Sequence, residues 1–149
     1  MEQLETTGKS GLEFVGYEQA EMSGVDLGRA EVIVAAGRGV GKKENIALIT
    51  DLANALGGEV GATRPVVDAG WLEKSRQVGG TGQTVAPGLY LACGISGAIQ
   101  HLSGMKKSGF IIAINKDRDA PIAEVADVLV LADVVQLLQA LIERLRKAG

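Results

Sequence analysis

The residues best equipped for chemistry in this chain gather at a few glycine-bearing turns. Gly94-Ile95-Ser96-Gly97 has the makings of a phosphate-binding turn. Its glycines let backbone close on an anion, Ser96 offers a hydroxyl, and the helix start that follows presents unpaired N–H groups. Many α/β turns share this form and bind nothing, so the turn does not decide by itself. Gln100 and His101 follow one helical turn on. Gly37-Arg38-Gly39, Thr63-Arg64-Pro65 and Asn115-Lys116-Asp117 are polar turns of the same kind. Asp133 could receive ribose hydroxyls, and on its own it is better read as a helix N-cap.

Other chemistries find little support. His101 is the single histidine, and no Cys/His cluster accompanies it, so no metal site is indicated. A Ser/His/Asp triad fails on geometry: Ser96 and His101, five apart on one helix, face different ways, and no nucleophile elbow is present. Neither G-x-G-x-x-G nor G-x-x-x-x-G-K-[ST] occurs, which argues against a P-loop hydrolase. Cys93 reads as a small buried strand residue. Trp71 reads as packing, and Lys42-Lys43 and Lys106-Lys107 as solvated faces.

The elements that must carry these turns alternate along the chain. Val32 to Ala36 is a continuous apolar run, as suits a strand buried on both faces. Lys43 to Leu56 places Ile46, Ile49, Leu52, Ala53 and Leu56 on one helical face, and Gly57-Gly58 stops it. Further strands are predicted over 59–62, 90–93, 110–114 and 128–132. Helices are predicted over 98–105 and 121–125, the latter opened by Pro121. A closing helix after Asp133 carries Leu137, Leu138, Leu141 and Leu145 on one face, with Arg144, Arg146 and Lys147 near its end. Strict strand–helix alternation predicts an α/β fold, an open, mainly parallel sheet with helices on both faces in three layers. In such sheets ligands bind outside the carboxyl ends of the strands, which is where every polar turn named above falls. The insert from Thr63 to Gly88 breaks the pattern. It holds five glycines, two prolines and little periodicity, and a loop that long reads as functional.

Composition agrees. The chain has 149 residues, 21 of them glycine, with aromatics at 3%. Fifteen Lys+Arg against 18 Asp+Glu make no basic field for a polyphosphate backbone, so nucleic acid is not an expected partner. No apolar run approaches a membrane span, and the acidic start Met1-Glu2-Gln3-Leu4-Glu5 is not a signal peptide. One cysteine fits a reducing compartment, the cytoplasm or an organelle matrix. Residues 1–28 are polar and glycine-dotted and read as a leader or linker, with one short strand at Leu12 to Val15; 29–149 form the domain.

Together the turns are distinctive. The blocks Val60-Gly-Ala-Thr-Arg-Pro-Val-Val-Asp-Ala-Gly-Trp71, Gln77-Val-Gly-Gly-Thr-Gly82, Gly94-Ile-Ser-Gly-Ala-Ile-Gln-His-Leu102, Gly104-Met-Lys106 and Ala113-Ile-Asn-Lys-Asp117 stand in order along the chain. They resemble the FAD-binding domain of the electron-transfer flavoprotein α subunit, from about Leu27 to about Leu145. The resemblance implies a Rossmann-like nucleotide-binding domain that carries FAD as an electron shuttle, not a stand-alone catalyst. Arg64 would lie against the isoalloxazine ring, where a fixed cation favours the anionic reduced flavin and raises its potential. Thr81 would donate to flavin N5, and His101 would sit at the C2 carbonyl with Gln100 beside it. Ser96, Gly97 and Ala98 would meet the pyrophosphate or ribityl region, and Arg38 a phosphate. Asn115 and Asp133 would hold the adenosine end. Thr63, Val78, Gly79 and Gly80 complete the pocket, and Ile99 and Val134 complete the set assigned to the cofactor.

The sequence departs from the family's pattern in places. Gly80 stands where many members carry glutamine, Gln83 where many carry lysine, and Thr63 where serine is usual. The change at Gly80 bears on redox tuning more than on binding. The family's α subunit has a further N-terminal domain, and some 28 residues stand here in its place; an excised domain and a natural short form both fit. Implied partners are a β-type subunit, flavin dehydrogenases, and a quinone or other redox acceptor. The implied location is a bacterial or archaeal cytoplasm or the mitochondrial matrix. The alternative is a NAD- or adenine-nucleotide-binding oxidoreductase domain on the same kind of sheet, an analogy of fold alone.

Overall fold

A computed structural model describes residues 26–80 and 82–148. The expected strand at Leu12 to Val15 and the expected flavin donor Thr81 lie outside the described residues.

Among the described residues, five strands form one parallel sheet. In chain order they are β1 (Val32–Ala36), β2 (Glu59–Ala62), β3 (Leu89–Cys93), β4 (Phe110–Asn115) and β5 (Val128–Leu131). Their spatial order is β2-β1-β3-β4-β5. The helices are α1 (Ile46–Leu56), α2 (Arg64–Asp68), α3 (Ile99–Met105) and α4 (Val134–Ala148). This is the three-layer α/β architecture that the alternation predicts.

Each central strand buries both of its faces, which explains the unbroken apolar runs. Val34 and Ala36 of β1 join Leu91 and Cys93 of β3 under α1 and α4, where Ile49, Leu52, Leu138 and Ile142 pack. Ile33 and Ala35 join Tyr90 and Ala92 on the opposite face, covered by Met105 and by Leu27, Ile95 and Ile122. Leu27, in the short 3₁₀ turn Leu27–Arg29, is fully buried in this second cluster. Helix α1 stops at Gly57, whose left-handed φ of 70° lets the N–H groups of Gly57 and Gly58 return to the last turn.

Three local expectations change. The helix expected from Lys43 begins at Ile46, after a 3₁₀ turn over Lys43–Asn45. The segment opened by Pro121 is 3₁₀, over Pro121–Glu124. The insert from Thr63 to Gly88 holds α2 and a 3₁₀ turn at Lys74–Arg76, and bridges join Ala62 to Gln77 and Val78 to Gln83. Five residues are too few to display a helical period, so α2 left only Pro65 as its signal.

The strand order reverses between β1 and β3. A parallel sheet is cleft at that point, because the two connections leave in opposite directions. Residue for residue, Ala36 pairs with Cys93 at the carboxyl ends of these strands. Both are small, so the core narrows where the cleft opens.

Candidate functional site

The cleft is a cavity of about 710 Å³ at the carboxyl ends of the strands, well within the size of small-molecule sites. Six chain segments build it. From β1 come Gly37, Arg38 and Gly39; from β2 come Thr63, Arg64 and Pro65. The insert adds Gln77 to Gly80. From β3 come Gly94 to Ala98, continuing into α3 with Gln100 and His101, and from β4 come Asn115 and Lys116; Val134 closes the rim.

The loops meet through backbone. Gly37 N–H donates to the Cys93 carbonyl and Gly39 N–H to the Gly94 carbonyl, each at 2.9 Å. Gly94 has a φ of 68°, and a Cβ there would lie 2.7 Å from Gly39 Cα. Gly79, at φ 83°, lies as close to α3: a Cβ would come within 2.7 Å of His101 Cα. Only glycine lets these two loops close on the sheet.

Polar side chains on the wall fall into two groups. Some are already satisfied. Asn115 Nδ2 donates to the Ile95 carbonyl at 3.0 Å and its Oδ1 accepts from Asp117 N–H at 2.9 Å, pinning the β3 turn to the end of β4. Arg38 lies over the Trp71 ring at 5.4 Å, which makes Trp71 a support for a cavity cation as well as a packing residue. Arg64 Nε pairs with Asp68 at 3.5 Å one turn along α2, with both side chains largely exposed.

Others are buried without a partner. Thr63 Oγ1, Gln77 Nε2 and His101 Nδ1 find no hydrogen-bond partner among the described residues, although Thr63, Gln77 and His101 are all buried. Buried polar atoms normally carry partners, so unpaired ones on a cavity wall mark where a ligand binds. His101 Nε2 is engaged by the Tyr90 hydroxyl at 2.8 Å. Burial lowers the His101 pKa from 6.5 to about 4, with the Val78 backbone acting in the opposite sense. The wall carries three cations, Arg38, Arg64 and Lys116, and no carboxylate among the described residues. No group of His, Cys, Asp and Glu among the described residues could hold a metal ion.

Most residues expected from the sequence therefore share one wall: Arg38, Thr63, Arg64, Val78, Gly79, Gly80, Ser96, Gly97, Ala98, Gln100, His101, Asn115 and Val134. Ser96 precedes α3 and does not lie on it. Ile99 is not on the wall; it is 82% exposed at the first position of α3. Asp133 is not on the wall either. Its Oδ1 caps α4 by accepting from Gln136 N–H at 3.0 Å, and its Oδ2 pairs with the wall residue Lys116 at 3.4 Å. These contacts lower its pKa, the Gln136 bond most. Lys116 joins the wall with the polar turn after β4, and Gln77 joins it without having been assigned to the cofactor. Gln77 reaches it because it bridges to Ala62 at the end of β2, a pairing that leaves no trace in local sequence.

Residues 26–106 match the family model described as the electron transfer flavoprotein FAD-binding domain. The chain belongs to this family. Over 124 residues it is 53% identical to the electron transfer flavoprotein subunit alpha of Clostridium acetobutylicum, covering 83% of this chain and 37% of that protein. The probable mitochondrial electron transfer flavoprotein subunit alpha of Caenorhabditis elegans is 55% identical over 122 residues, covering 82% and 37%. The mitochondrial subunit of Arabidopsis thaliana is 48% identical over 132 residues, covering 89% and 36%. The chain thus spans little more than a third of the length of these relatives. FAD is the family's cofactor, and the cavity suits it. Three cations and three buried polar residues line a glycine-rich cleft, as a polar, anionic dinucleotide requires.

Proposed function

We propose that residues 29–149 hold FAD along the cleft and act as an electron carrier, passing electrons singly between flavin dehydrogenases and a quinone or other acceptor. A β-type electron transfer flavoprotein subunit is the expected companion. The observation that carries this reading is the trio Thr63, Gln77 and His101, buried on the cavity wall with Oγ1, Nε2 and Nδ1 unpaired among the described residues. When bound, FAD supplies the redox chemistry, because a flavin takes up and releases electrons.

The chain's own residues bind, orient and tune. Backbone at Gly37, Gly94 and Gly97 lets the dinucleotide approach closely, and Arg38, braced by Trp71, offers charge to its phosphates. Arg64 would lie beside the ring and favour its reduced anionic form. Thr81 would donate at N5, and His101 and Gln100 would lie at the ring's carbonyl edge. Ser96 and Ala98 would meet the linker between ring and adenosine, and Asn115 and Val134 its adenosine end. Asp133 acts on that end through Lys116. Electron tunnelling needs close approach and no nucleophile, which agrees with a wall of cations and amides. No helix among the described residues is long and apolar enough to cross a membrane. Both a bacterial or archaeal cytoplasm and a mitochondrial matrix are consistent with the carrier role.

The test is to mix the purified chain with FAD, remove free ligand and record the visible spectrum. A retained flavin band is expected, and its absence overturns the reading. Calorimetric titration with FAD and with NAD separates the alternative: heat with NAD and none with FAD would favour a nicotinamide-binding oxidoreductase domain.

A further inference from the structure

Tyr90 and His101 form a buried polar pair behind the cavity wall. Tyr90 comes from β3 and is fully buried; His101 comes from α3 and is 5% exposed. Their link, Tyr90 Oη to His101 Nε2 at 2.8 Å, is the one hydrogen bond described for the hydroxyl. The rings meet edge to face, with centroids 6.0 Å apart. The other ring nitrogen, Nδ1, is buried and has no hydrogen-bond partner among the described residues.

Two arrangements of protons could make this bond. If Nε2–H donates to the tyrosine oxygen, the phenol proton is stranded within the apolar cluster that Tyr90 shares with Ile33, Ile111 and Met105. An unpaired buried donor costs about 1–3 kcal/mol. If the phenol donates to the Nε2 lone pair, its proton is paired and the ring proton sits on Nδ1, with the Val78 backbone favouring a proton on the ring. The second arrangement is the cheaper one. A charged imidazolium would also strand the phenol proton, and its surroundings oppose it. The cavity's charged groups are Arg38, Arg64 and Lys116, all cations, and no carboxylate lines it among the described residues. Tyr90 and, further along β3, Cys93 are buried with pKa values raised by burial, so neither supplies a negative charge near neutral pH.

We propose that Tyr90 is a positioning residue: by donating to Nε2 it holds His101 as the neutral Nδ1–H tautomer. His101 then stands on the cavity wall as an uncharged ring beside the ligand's carbonyl edge, and not as a cation. The role toward ligand rests on the FAD reading above; the tautomer does not. The Val78 backbone favours a proton on the ring, which supports the Nδ1–H form, and burial outweighs it in keeping the ring uncharged. The fixed positive charge near a reduced ring is then left to Arg64, and histidine titration does not make the cofactor's potential depend on pH.

The single histidine makes the test direct. The full chain is labelled with ¹⁵N-histidine, and two-bond correlations assign the protonated ring nitrogen from pH 5 to 9, without and with FAD. The expected spectrum has Nδ1 protonated, Nε2 unprotonated and no titration across that range. Nε2–H as the major form, or imidazolium at neutral pH, overturns the proposal whether or not FAD binds. In Tyr90→Phe the ring should become a mixture of tautomers, and its titration should move up toward the ordinary histidine range. If Tyr90→Phe does not fold, the wild-type tautomer still decides. In the FAD-loaded protein, potential against pH should gain a histidine inflection only in Tyr90→Phe. An inflection already present in wild type, within pH 5 to 8 and matched by the ¹⁵N titration, also overturns it. A chain that shows the stated tautomer but retains no flavin would refute the cofactor reading alone.

Discussion

Gly39 N–H donates to the Gly94 carbonyl at 2.9 Å, and this bond ties the turn after β1 to the turn after β3 where the sheet order reverses. The cavity floor is backbone held to backbone. Its width is fixed by two residues that have no side chains, which is why nearby loops can present polar groups without filling the space between them.

Gly94→Ala tests that floor. The new methyl would sit at 2.7 Å from Gly39 Cα, on a backbone with φ of 68°. Strain and displacement together should cost at least about 2 kcal/mol in urea unfolding and weaken FAD more than tenfold. Gly57→Ala is the control. Its φ is 70°, but nothing lies within 4 Å, so only the left-handed cost of about 1 kcal/mol should appear. Equal losses at both sites would mean that the contact between the two turns does not matter.

Arg64 and Asp68 should act on the flavin potential with opposite signs. Arg64→Ala removes a cation from the wall and should lower the potential. Asp68→Ala frees Arg64 Nε from its partner at 3.5 Å and should raise it slightly, since the exposed pair is weak. Spectroelectrochemistry on the two variants reads both effects, and an unchanged potential in Arg64→Ala would remove that residue from the ring's surroundings.

Asp133→Ala should separate a cap from a ligand contact. Loss of the bond from Gln136 N–H should lower the melting temperature of the chain. Release of Lys116 from its partner at 3.4 Å should weaken FAD binding several-fold. If only the melting temperature moves, Asp133 is a cap and nothing more.

His101 gives a pH window for stability. Folding lowers its pKa from 6.5 to about 4, so between these values the unfolded chain binds a proton that the folded chain does not. The unfolded state gains as pH falls, and stability should decline from about pH 6.5 down to about pH 4 and then level for this group. The full effect is on the order of 3 kcal/mol. Urea midpoints at several pH values, compared between wild type and His101→Gln, isolate it; identical slopes would show that the ring is charged in the folded chain.

Cys93 should be inert. It is fully buried, and burial raises its pKa to about 12, so almost no thiolate exists near neutral pH. A disulfide-exchange reagent at pH 8 should react only after denaturant is added. Prompt reaction in the native chain would mean that the layer under α1 and α4 opens easily.

Sequence alone determined the layering of this protein. Val32 to Ala36 and Phe110 to Ile114 are apolar on both sides, so they must be strands covered twice. The leucines after Asp133 recur at helical spacing, so they must lie on one buried face. Those patterns are local, and the glycine turns at their ends could be located with them. Tertiary structure decided what local pattern does not encode. Gln77 belongs to the cavity because Ala62, 15 residues earlier, is its bridge partner. Ile99 leaves the cavity because the first turn of α3 rotates it to solvent, although both its neighbours in sequence line the wall. Asp133 stands one step behind the wall because its carboxylate is engaged by the helix it caps. His101 is held from behind by a tyrosine on a strand that ends just before its own helix begins, and burial keeps it neutral. Residue type and spacing select the side chains that can do chemistry. Register and packing select which atoms of those side chains remain free to do it.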